Sequence, residues 1–364
     1  MIEVADVFRR FAADYLSAHG ASLPPSHQRA IEDILNCRTA TLGGQVWRCE
    51  ACNSEVFSYH SCNNRSCPKC HTAQTQEWLE HRQAEMLPVP YFHITVTVPA
   101  ELRMVLRAHQ RAGYGVLMQA SAAAIIELAR DPRYVGGTVA VLAVLHTWTR
   151  QLHFHPHVHC LVSGGGISED GDTWHPARRT FLLPIKALAK LVRGKFRALL
   201  RQKCPDVIVP DAVWHKRWVL HISARGNGEQ AMLDYLARYA SGSRSPTPAS
   251  LVSMTTGSAS NTRTARAAAD VPASSAAKFM RRFLQHVLPR GFHKVRYCGL
   301  WHPRQRHNAA RIRQMLQLQA PPKADLVQDD LASRPLVPSA EAPMPPIEPR
   351  ICPHCQGRLI FIRM

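Results

Sequence analysis

The stretch HFHPHVHCLV, residues 153–162, decides the fold prediction, because it places a histidine at every second position around one proline. After Pro156, HVHCLV has the apolar and β-branched character of a strand, and the glycines at its end predict a turn over residues 163–166. Since proline interrupts a strand, His153 and His155 need not line up with the histidines that follow it.

His157 and His159 form the candidate metal site within this stretch. On a strand both side chains point to one face, about 6 to 7 Å apart along it. Two imidazoles at that separation can share one ion, and they leave most of its coordination to substrate oxygens. The pattern alone is a weak signal, since a basic protein scatters histidines, so its interpretation depends on the rest of the chain.

The segments around this strand predict a sheet domain over residues 88–313. YFHITVTVP (91–99) alternates apolar and polar residues, and TVAVLAVLHTW (138–148) is an apolar run, as expected for a half-buried and a more buried strand. KRWVLHIS (216–223) predicts another strand, and amphipathic stretches between the strands predict helices. Strands that alternate with helices indicate an α/β or α+β fold. Two further helices are predicted over residues 1–36.

The composition indicates a partner that carries negative charge. The 364 residues include 45 Lys and Arg against 26 Asp and Glu, which gives a formal net charge of +19 and an isoelectric point near 9.9. Such a charge attracts polyanions, so nucleic acid is the first expectation and an anionic membrane surface the second. No apolar run approaches the roughly 20 residues of a membrane span, and the acidic, amphipathic start is unlike an export signal. We therefore expect a cytoplasmic protein whose eleven cysteines are metal ligands or thiols rather than disulfides.

Two Cys-x2-Cys knuckles predict a zinc site near the N-terminus. Cys49 and Cys52 form the first, Cys67 and Cys70 form the second, and 14 residues separate them. Each knuckle directs two thiolates to one point, so together they would complete a tetrahedron around one structural zinc ion. The sequence therefore predicts a small zinc-ribbon-like module over residues 37–87, in which zinc folds a segment too small to fold alone.

Further possible ligands lie near this module and at the far end of the chain. The residues left over near the knuckles are Cys37, His60, Cys62 and His71. They are either core thiols and surface imidazoles or members of a second zinc site. Residues 314–350 have the proline-rich composition of a disordered linker, and a tail over 351–364 carries a single knuckle, Cys352-x2-Cys355. That knuckle either binds metal with a second chain or has no role.

The sequence YLARY supplies a candidate nucleophile. Tyr235 and Tyr239 lie four residues apart on a predicted helix and therefore share one face. Such a pair is usually core packing. Beside a metal site in a basic chain it has a second interpretation, because a metal that polarises a phosphodiester makes attack by a phenol feasible. The resulting phosphotyrosine conserves bond energy, so strands could be cut and rejoined without ATP.

Together these motifs resemble the HUH single-strand nucleases, which are named for two histidines around one bulky apolar residue, here His157-Val158-His159. More narrowly, the chain looks like the two-tyrosine rolling-circle transposases of bacterial insertion sequences, the IS ninety-one group. The resemblance covers most of residues 25–313. It is carried by the runs SCNNRSCPKC, YFHITVTVP, HPHVHCLVSGGG, YLARY and RRFLQHVLPRGFHKVRYCGLW.

The resemblance implies an α+β protein in which the zinc-ribbon-like module precedes a ferredoxin-like HUH endonuclease domain with helical insertions. His157 and His159 would hold Mg²⁺ or Mn²⁺ against the scissile phosphate. Tyr235 and Tyr239 would each form a 5′-phosphotyrosine and leave a 3′-hydroxyl, one cutting the donor strand and the other the target. The implied partner is single-stranded DNA at transposon ends and target, in the cytoplasm at the bacterial nucleoid. The third ligand of the ion stays open among His93, Gln230 and Asp234.

A basic segment from Lys278 to Arg313 predicts the DNA-binding surface. It contains ten Lys or Arg and no Asp or Glu, with Phe, Tyr and Trp interleaved. Basic side chains would contact phosphates and aromatic rings would stack on bases, whereas the plain alternative is a solvated basic face. The predicted DNA contacts are Arg281, Arg282, Arg290, Lys294, Arg296, Arg304 and Arg306.

Residues 241–277 depart from the family pattern. They contain no aromatic residue and few aliphatic ones, a composition that predicts disorder where the family has strands. Compensating frameshifts would explain this departure, and the coding DNA would show whether another frame encodes a strand-rich peptide. Three functions therefore stand: a transposase, a related replication initiator or plasmid relaxase, and a zinc-dependent DNA-binding remnant that no longer cuts.

Overall fold

The computed structural model describes residues 4–70, 72–149, 151–223, 273–319 and 350–363. The predicted tyrosine helix and residues 241–272 of the anomalous segment lie outside these ranges. The chain divides into two compact units, Met1–Leu35 with Asn63–Gln317 and Asn36–Cys62 with Leu318–Met364. Residues 63–87 of the predicted zinc module therefore fall in the first unit, and the C-terminal tail falls in the second.

Helices and strands follow each other along the described chain. The helices are α1 (Val4–His19), α2 (Pro25–Asn36), α3 (Thr72–Glu85), α4 (Glu101–Ala108), α5 (Gln110–Ala129), α6 (Ile185–Lys203), α7 (Ala212–His215), α8 (Ala273–Leu284) and α9 (Arg306–Gln319). The strands are β1 (Gly44–Cys49), β2 (Glu55–Tyr59), β3 (Tyr91–Thr97), β4 (Thr138–Trp148), β5 (Phe154–Ile167), β6 (Trp174–Pro176), β7 (Val219–Ser223), β8 (Val295–Gly299) and β9 (Leu359–Arg363).

The first unit is built on a six-stranded antiparallel sheet in the order β7-β3-β5-β4-β8, with β6 paired to β5. Alternation explains why these segments form strands. Phe92, Ile94 and Val96 of β3 are completely buried, whereas the polar residues between them are only half-buried. Antiparallel strands with helices on both faces confirm the α+β class, and the narrower ferredoxin-like assignment stays a prediction.

Both faces of this sheet are covered by helices. On one face, Val158 and Val162 of β5 are fully buried together with Leu117 of α5 and Phe196 of α6. Each such side chain contributes about 1.5–3 kcal/mol by leaving water. The opposite face packs on α3 and α9, and its buried apolar residues include Leu79, Leu142, Leu161, Ile312 and Leu316.

Strand β5 is longer at both ends than the sequence predicts. It begins at Phe154 and includes Pro156, which lies where the pairing with β4 is irregular and beyond the last residue paired with β3. A proline is tolerated there because no ladder hydrogen bond needs its nitrogen. The strand also continues through Gly164–Gly166 instead of turning. Glycine lets the Trp174 ring pack closely on the backbone of β5, since a Cβ on Gly165 would lie 2.6 Å from that ring.

Helix α5 is long and apolar enough to cross a membrane by length and composition, which the sequence did not lead us to expect. Its apolar residues are mostly buried in the core of the first unit, among them Val116, Leu117 and Ile125. Packing on the sheet therefore accounts for the composition of α5.

Two helices extend into segments that the composition predicts to be disordered. Residues 273–277 begin α8 because alanine favours helix and the following Phe279 and Phe283 bury one face, with Phe283 packed edge-on against Phe8 at 5.3 Å. Helix α9 likewise continues past residue 314, where Leu316 is buried. In both segments the chain forms a helix because it has an apolar face to bury, and composition alone does not show such a face.

The second unit contains a three-stranded antiparallel sheet in the order β2-β1-β9. Strand β1 pairs with β2 from Gly44 opposite Tyr59 to Arg48 opposite Glu55. On its other edge β1 pairs with the C-terminal strand β9, from Cys49 opposite Leu359 onward. The tail is therefore part of a sheet.

Gly299 at the end of β8 tests this description of the first unit. Its φ is +61°, and a Cβ would lie 1.9 Å from the carbonyl oxygen of Val139. We expect Gly299→Ala to destabilise the protein by more than about 2 kcal/mol. The matched control is Gly194→Ala, in helix α6 with nothing within 4 Å of the added methyl group, which should stabilise by up to about 1 kcal/mol. Thermal unfolding midpoints of the two variants should move in opposite directions; equal shifts would contradict the packing of β8 on β4.

Candidate metal centre

The centre is built on strands β4 and β5, which bring three histidines to one face of the sheet. His157 and His159 are two residues apart on β5 and point to the same face. On β4, His146 lies directly opposite His157 in the antiparallel register. Residues that are directly opposite in adjacent strands share a face, so the register adds a third imidazole to the predicted pair.

The three imidazoles are close enough to bind one ion. One possible ligand nitrogen from each of His146, His157 and His159 lies within 4.8 Å of the others. The ring centroids of His146 and His159 are 4.3 Å apart, and those of His157 and His159 are 4.8 Å apart. His146 and His159 are buried, and His157 is half-buried.

Hydrogen bonds to the outer ring nitrogens orient two of these imidazoles. His157 donates from Nδ1 to the carbonyl oxygen of His155 at 2.6 Å, which leaves Nε2 with its lone pair for a metal. Nδ1 of His159 lies 2.7 Å from Nε2 of His93 on β3 and 3.3 Å from the hydroxyl of Thr95. If His159 donates to His93, its own Nε2 is the ligand atom. Such contacts are typical of metal-binding histidines.

The environment keeps the imidazoles unprotonated at neutral pH. Burial, followed by the neighbouring histidine charges, lowers the pKa of His157 to about 4 and that of His159 to about 2. Burial also lowers the pKa of His146 well below its ordinary value. A metal ligand must be the neutral imidazole, so this donor set fits a divalent cation. An all-nitrogen set suits Mn²⁺ better than Mg²⁺, which prefers oxygen ligands.

The structure places His93 beside the group as a hydrogen-bond partner of His159. Its pKa is lowered to about 4 by burial, and its ring stacks on that of His159 at 4.9 Å. The other residues proposed for the third ligand, Gln230 and Asp234, lie outside the described residues, as do Tyr235 and Tyr239. His146 was missed because its strand has the apolar sequence of a fully buried one. Nothing in the local sequence shows that His146 shares a face with His157, since the register between β4 and β5 decides it.

The thiols group differently from the pairing that the sequence suggests. Cys49 and Cys52 lie within 4.8 Å of the tail thiols of Cys352 and Cys355, so they do not need the second N-terminal knuckle to complete a four-thiol group. The prediction assumed that nearest knuckles pair, whereas the pairing of β9 with β1 brings a distant one to Cys49. His60, also named as a possible ligand, is exposed. The other cysteines named as ligands are buried or half-buried, namely Cys37, Cys62, Cys67 and Cys70.

The predicted DNA contacts differ in exposure. The exposed ones are Arg281, Arg290, Arg304 and Arg306, and the half-buried ones are Arg282, Lys294 and Arg296. Arg296 and Arg304 line a cavity of 930 Å³ together with Arg130 and Arg311. Thr138, the first residue of β4, lines this basic cavity and lies about 26 Å along the strand from His146. The cavity is therefore separate from the three histidines.

Comparison with known proteins identifies the family. A family model described as "Putative transposase" matches residues 140–309, and one described as "Transposase zinc-binding domain" matches residues 7–98. "Putative transposase y4qJ" of Sinorhizobium fredii is 33% identical over all of this chain and 95% of its own length. The chain belongs to this transposase family, the IS ninety-one group. The "Transposase for insertion sequence element IS801" of Pseudomonas savastanoi pv. phaseolicola is 25% identical over 74% of this chain and 68% of its own. No solved structure matches the chain.

Membership of the family makes the chain a DNA transposase and DNA its partner. The zinc-binding model ends at residue 98, so it includes the two N-terminal knuckles and not the C-terminal one. The transposase model includes all three histidines of the metal group.

Replacement of single histidines tests the ligand group. We expect His146→Ala, His157→Ala and His159→Ala each to weaken Mn²⁺ binding by at least about tenfold, because each removes one of three ligands. His153→Ala is the matched control, since that residue is exposed, four positions before His157 and just outside strand β5. Titration of Mn²⁺ by electron paramagnetic resonance measures the affinities. Wild-type affinity in His146→Ala would remove that residue from the set.

A second substitution tests the orienting role of His93. We expect His93→Ala to weaken Mn²⁺ binding about 10- to 100-fold, the usual effect of removing a partner from a ligating histidine. His93→Gln can still hydrogen-bond to Nδ1 of His159 and should recover part of the affinity. The same loss in both variants would instead indicate that His93 is itself a ligand.

Proposed function

We propose that this transposase cuts and rejoins single-stranded DNA by tyrosine attack beside a divalent cation held by His146, His157 and His159. The observation that supports the proposal most strongly is the group of three neutral imidazoles on β4 and β5. Burying three imidazoles on one face costs free energy unless their nitrogens find partners, and a shared cation would supply one. It suits an ion that must keep coordination positions open for a substrate.

The residues of the centre have distinct roles in this proposal. His146, His157 and His159 hold the ion, and His93 together with the carbonyl of His155 fixes the rings through their outer nitrogens. When bound, the ion polarises the scissile phosphodiester and stabilises the charge that develops on it. Of the two ions that the resemblance implies, Mn²⁺ is the one proposed, because Mg²⁺ gives up its oxygen ligands more reluctantly.

Tyr235 and Tyr239 are the proposed nucleophiles, on the strength of the family resemblance. The phenol oxygen of one tyrosine attacks phosphorus and forms a 5′-phosphotyrosine, while the bond from phosphorus to the 3′-oxygen breaks. The proton lost by the phenol is balanced by the proton gained by the 3′-hydroxyl. Attack of a 3′-hydroxyl on the phosphotyrosine reverses these bonds and joins strands. Two tyrosines allow donor and target strands to be held at once.

The basic residues near the C-terminal end of the first unit support a DNA-binding role. Arg281, Arg290, Arg304 and Arg306 are exposed and can contact phosphates, and the cavity lined by Arg296 and Arg304 offers a second basic surface. We also propose that zinc has a structural role, with Cys37, Cys62, Cys67 and Cys70 remaining candidate ligands within the segment matched by the zinc-binding domain. A location at the nucleoid would follow from DNA binding.

An adduct assay tests the chemistry. The full chain is incubated with Mn²⁺ and labelled single-stranded DNA from the ends of its own insertion sequence, as wild type, Tyr235→Phe, Tyr239→Phe and the double variant. We expect a covalent adduct in the wild type, less in each single variant and none in the double variant, because phenylalanine lacks the attacking oxygen. Tyr134→Phe, a half-buried tyrosine of the first unit, is the matched control and should retain the full adduct.

The outcomes separate the possible functions. An adduct in the double variant would contradict the nucleophile assignment. Cleavage without transfer to a second strand would favour the replication initiator or relaxase. DNA binding by the wild type without any adduct would favour the DNA-binding remnant, and the coding DNA of residues 241–277 would then be the next object of study.

A further inference from the structure

We propose that the C-terminal knuckle completes a four-cysteine structural zinc site with Cys49 and Cys52, so that the last residues of the chain are part of the zinc-binding fold. The tail thiols of Cys352 and Cys355 lie about 250 residues beyond the end of the matched zinc-binding domain at residue 98. The inference concerns the second unit alone and does not depend on the proposed DNA chemistry.

The two knuckles have the same backbone structure. In the first, CEACNS, the amide of Cys49 donates to the carbonyl of Ser54 at 3.0 Å, and the amide of Asn53 donates to the carbonyl of Cys49 at 3.0 Å. In the second, CPHCQG, the amide of Cys352 donates to the carbonyl of Gly357 at 2.8 Å, and the amide of Gln356 donates to the carbonyl of Cys352 at 2.9 Å. Each turn thus closes with the same two hydrogen bonds.

The conformation of the residue after each knuckle strengthens this equivalence. Asn53 has φ +57° and Gln356 has φ +60°, so both are in the left-handed region that few residues other than glycine and asparagine adopt readily. The same uncommon conformation at the same position in two separate turns indicates a shared requirement. Directing two thiols of a Cys-x2-Cys turn to one point is such a requirement.

The sulfur positions match a tetrahedral site. Sγ of Cys49 lies 3.4 Å from that of Cys355, and Sγ of Cys52 lies 3.7 Å from that of Cys352. Zinc–sulfur bonds of about 2.3 Å in a tetrahedron place the sulfurs about 3.8 Å apart. All four thiols lie within 4.8 Å of one another, and none is in a disulfide. Four thiols and no carboxylate or imidazole favour zinc over harder cations.

The sheet holds the two knuckles together. Strand β9 pairs with β1, and the amide of Glu50, within the first knuckle, donates to the carbonyl of Arg358 at 3.0 Å. Gly357 permits the close approach, since a Cβ there would lie 3.0 Å from Sγ of Cys49 and 2.8 Å from the Cβ of Ala51. The guanidinium of Arg350 lies over the ring of Trp47 at 4.5 Å. The tail is thus fixed on both sides of its knuckle.

A zinc ion explains how so small a unit is stable. Among the described residues, the buried cluster around the thiols contains Cys49, Cys352 and Leu359, with Trp47 and Val56 packed beside it. Such a core is too small to stabilise three strands unaided, whereas a structural zinc ion contributes its binding free energy directly to folding.

Zinc content of the full chain tests the inference. We expect the double variant Cys352→Ser and Cys355→Ser to contain one zinc equivalent per chain less than the wild type, measured by elemental mass spectrometry after gel filtration. Two matched controls should keep the wild-type content: His354→Ala, an exposed residue in the same turn, and Cys298→Ser, a half-buried cysteine of the first unit. Unchanged zinc in the double variant would overturn the proposal.

A second measurement uses the wild type and is independent of how the variant folds. Cys52 and Cys355 are exposed, so as plain thiols both are open to alkylation by iodoacetamide without a chelator. As zinc ligands they should resist alkylation until a chelator removes the metal, and peptide mass spectrometry should then show Cys52 and Cys355 modified together. Rapid alkylation of either residue in the zinc-loaded protein before chelation would contradict the site.

Discussion

The histidine group depends on the register between β5 and its two neighbouring strands. His146 of β4 lies opposite His157 of β5. On the other side of β5, Thr95 of β3 lies opposite His159, and His93, two residues from Thr95 on the same face, contacts the His159 ring. Imidazoles from three strands therefore meet on one face. A slip of one residue would turn a strand over, because side chains alternate between faces. The register is fixed by the opposite face, where Val158 and its neighbours are completely buried under helices. A slipped strand would place histidines in that apolar core, at the cost of burying polar rings without partners.

The end of the sheet that carries the histidines is held by contacts from a distant segment. His286, which follows α8, accepts a hydrogen bond from the hydroxyl of Thr147 at 3.1 Å and donates one to the carbonyl of Leu152 at 3.2 Å. Burial lowers the pKa of His286 to about 4, so the ring is neutral and offers one donor and one acceptor, as these two contacts require. The connection between β4 and β5 is thereby tied to the segment after α8, and the histidine-bearing ends of both strands are fixed relative to each other.

The sequence predicts most elements and the cysteine knuckles well, and it predicts the ends of β5 and non-local partners poorly. Alternation in YFHITVTVP gives the correct strand and the correct buried face, and the knuckles are correctly predicted as thiol-bearing turns. His146 is hidden because a run such as VLAVLHTW is apolar on both faces, so nothing local shows which face meets His157. Pro156 and Gly164–Gly166 predict breaks because proline and glycine usually end strands. Here Pro156 lies where the pairing with β4 is irregular and needs no amide from it. The absence of a Cβ on Gly165 leaves room for the Trp174 ring.

The pairing of the knuckles shows why closeness in sequence is a weak guide to a metal site. Joining Cys52 to Cys352 closes a loop of 300 residues, whereas joining it to Cys67 would close one about twenty times shorter. Loop-closure entropy grows only with the logarithm of length, so the longer loop costs about 3 kcal/mol more. A four-thiol zinc site would gain its binding free energy whichever knuckle completed it, so zinc does not decide between the two pairings. The pairing of β9 with β1 is the additional interaction that brings the distant knuckle to Cys49 and Cys52.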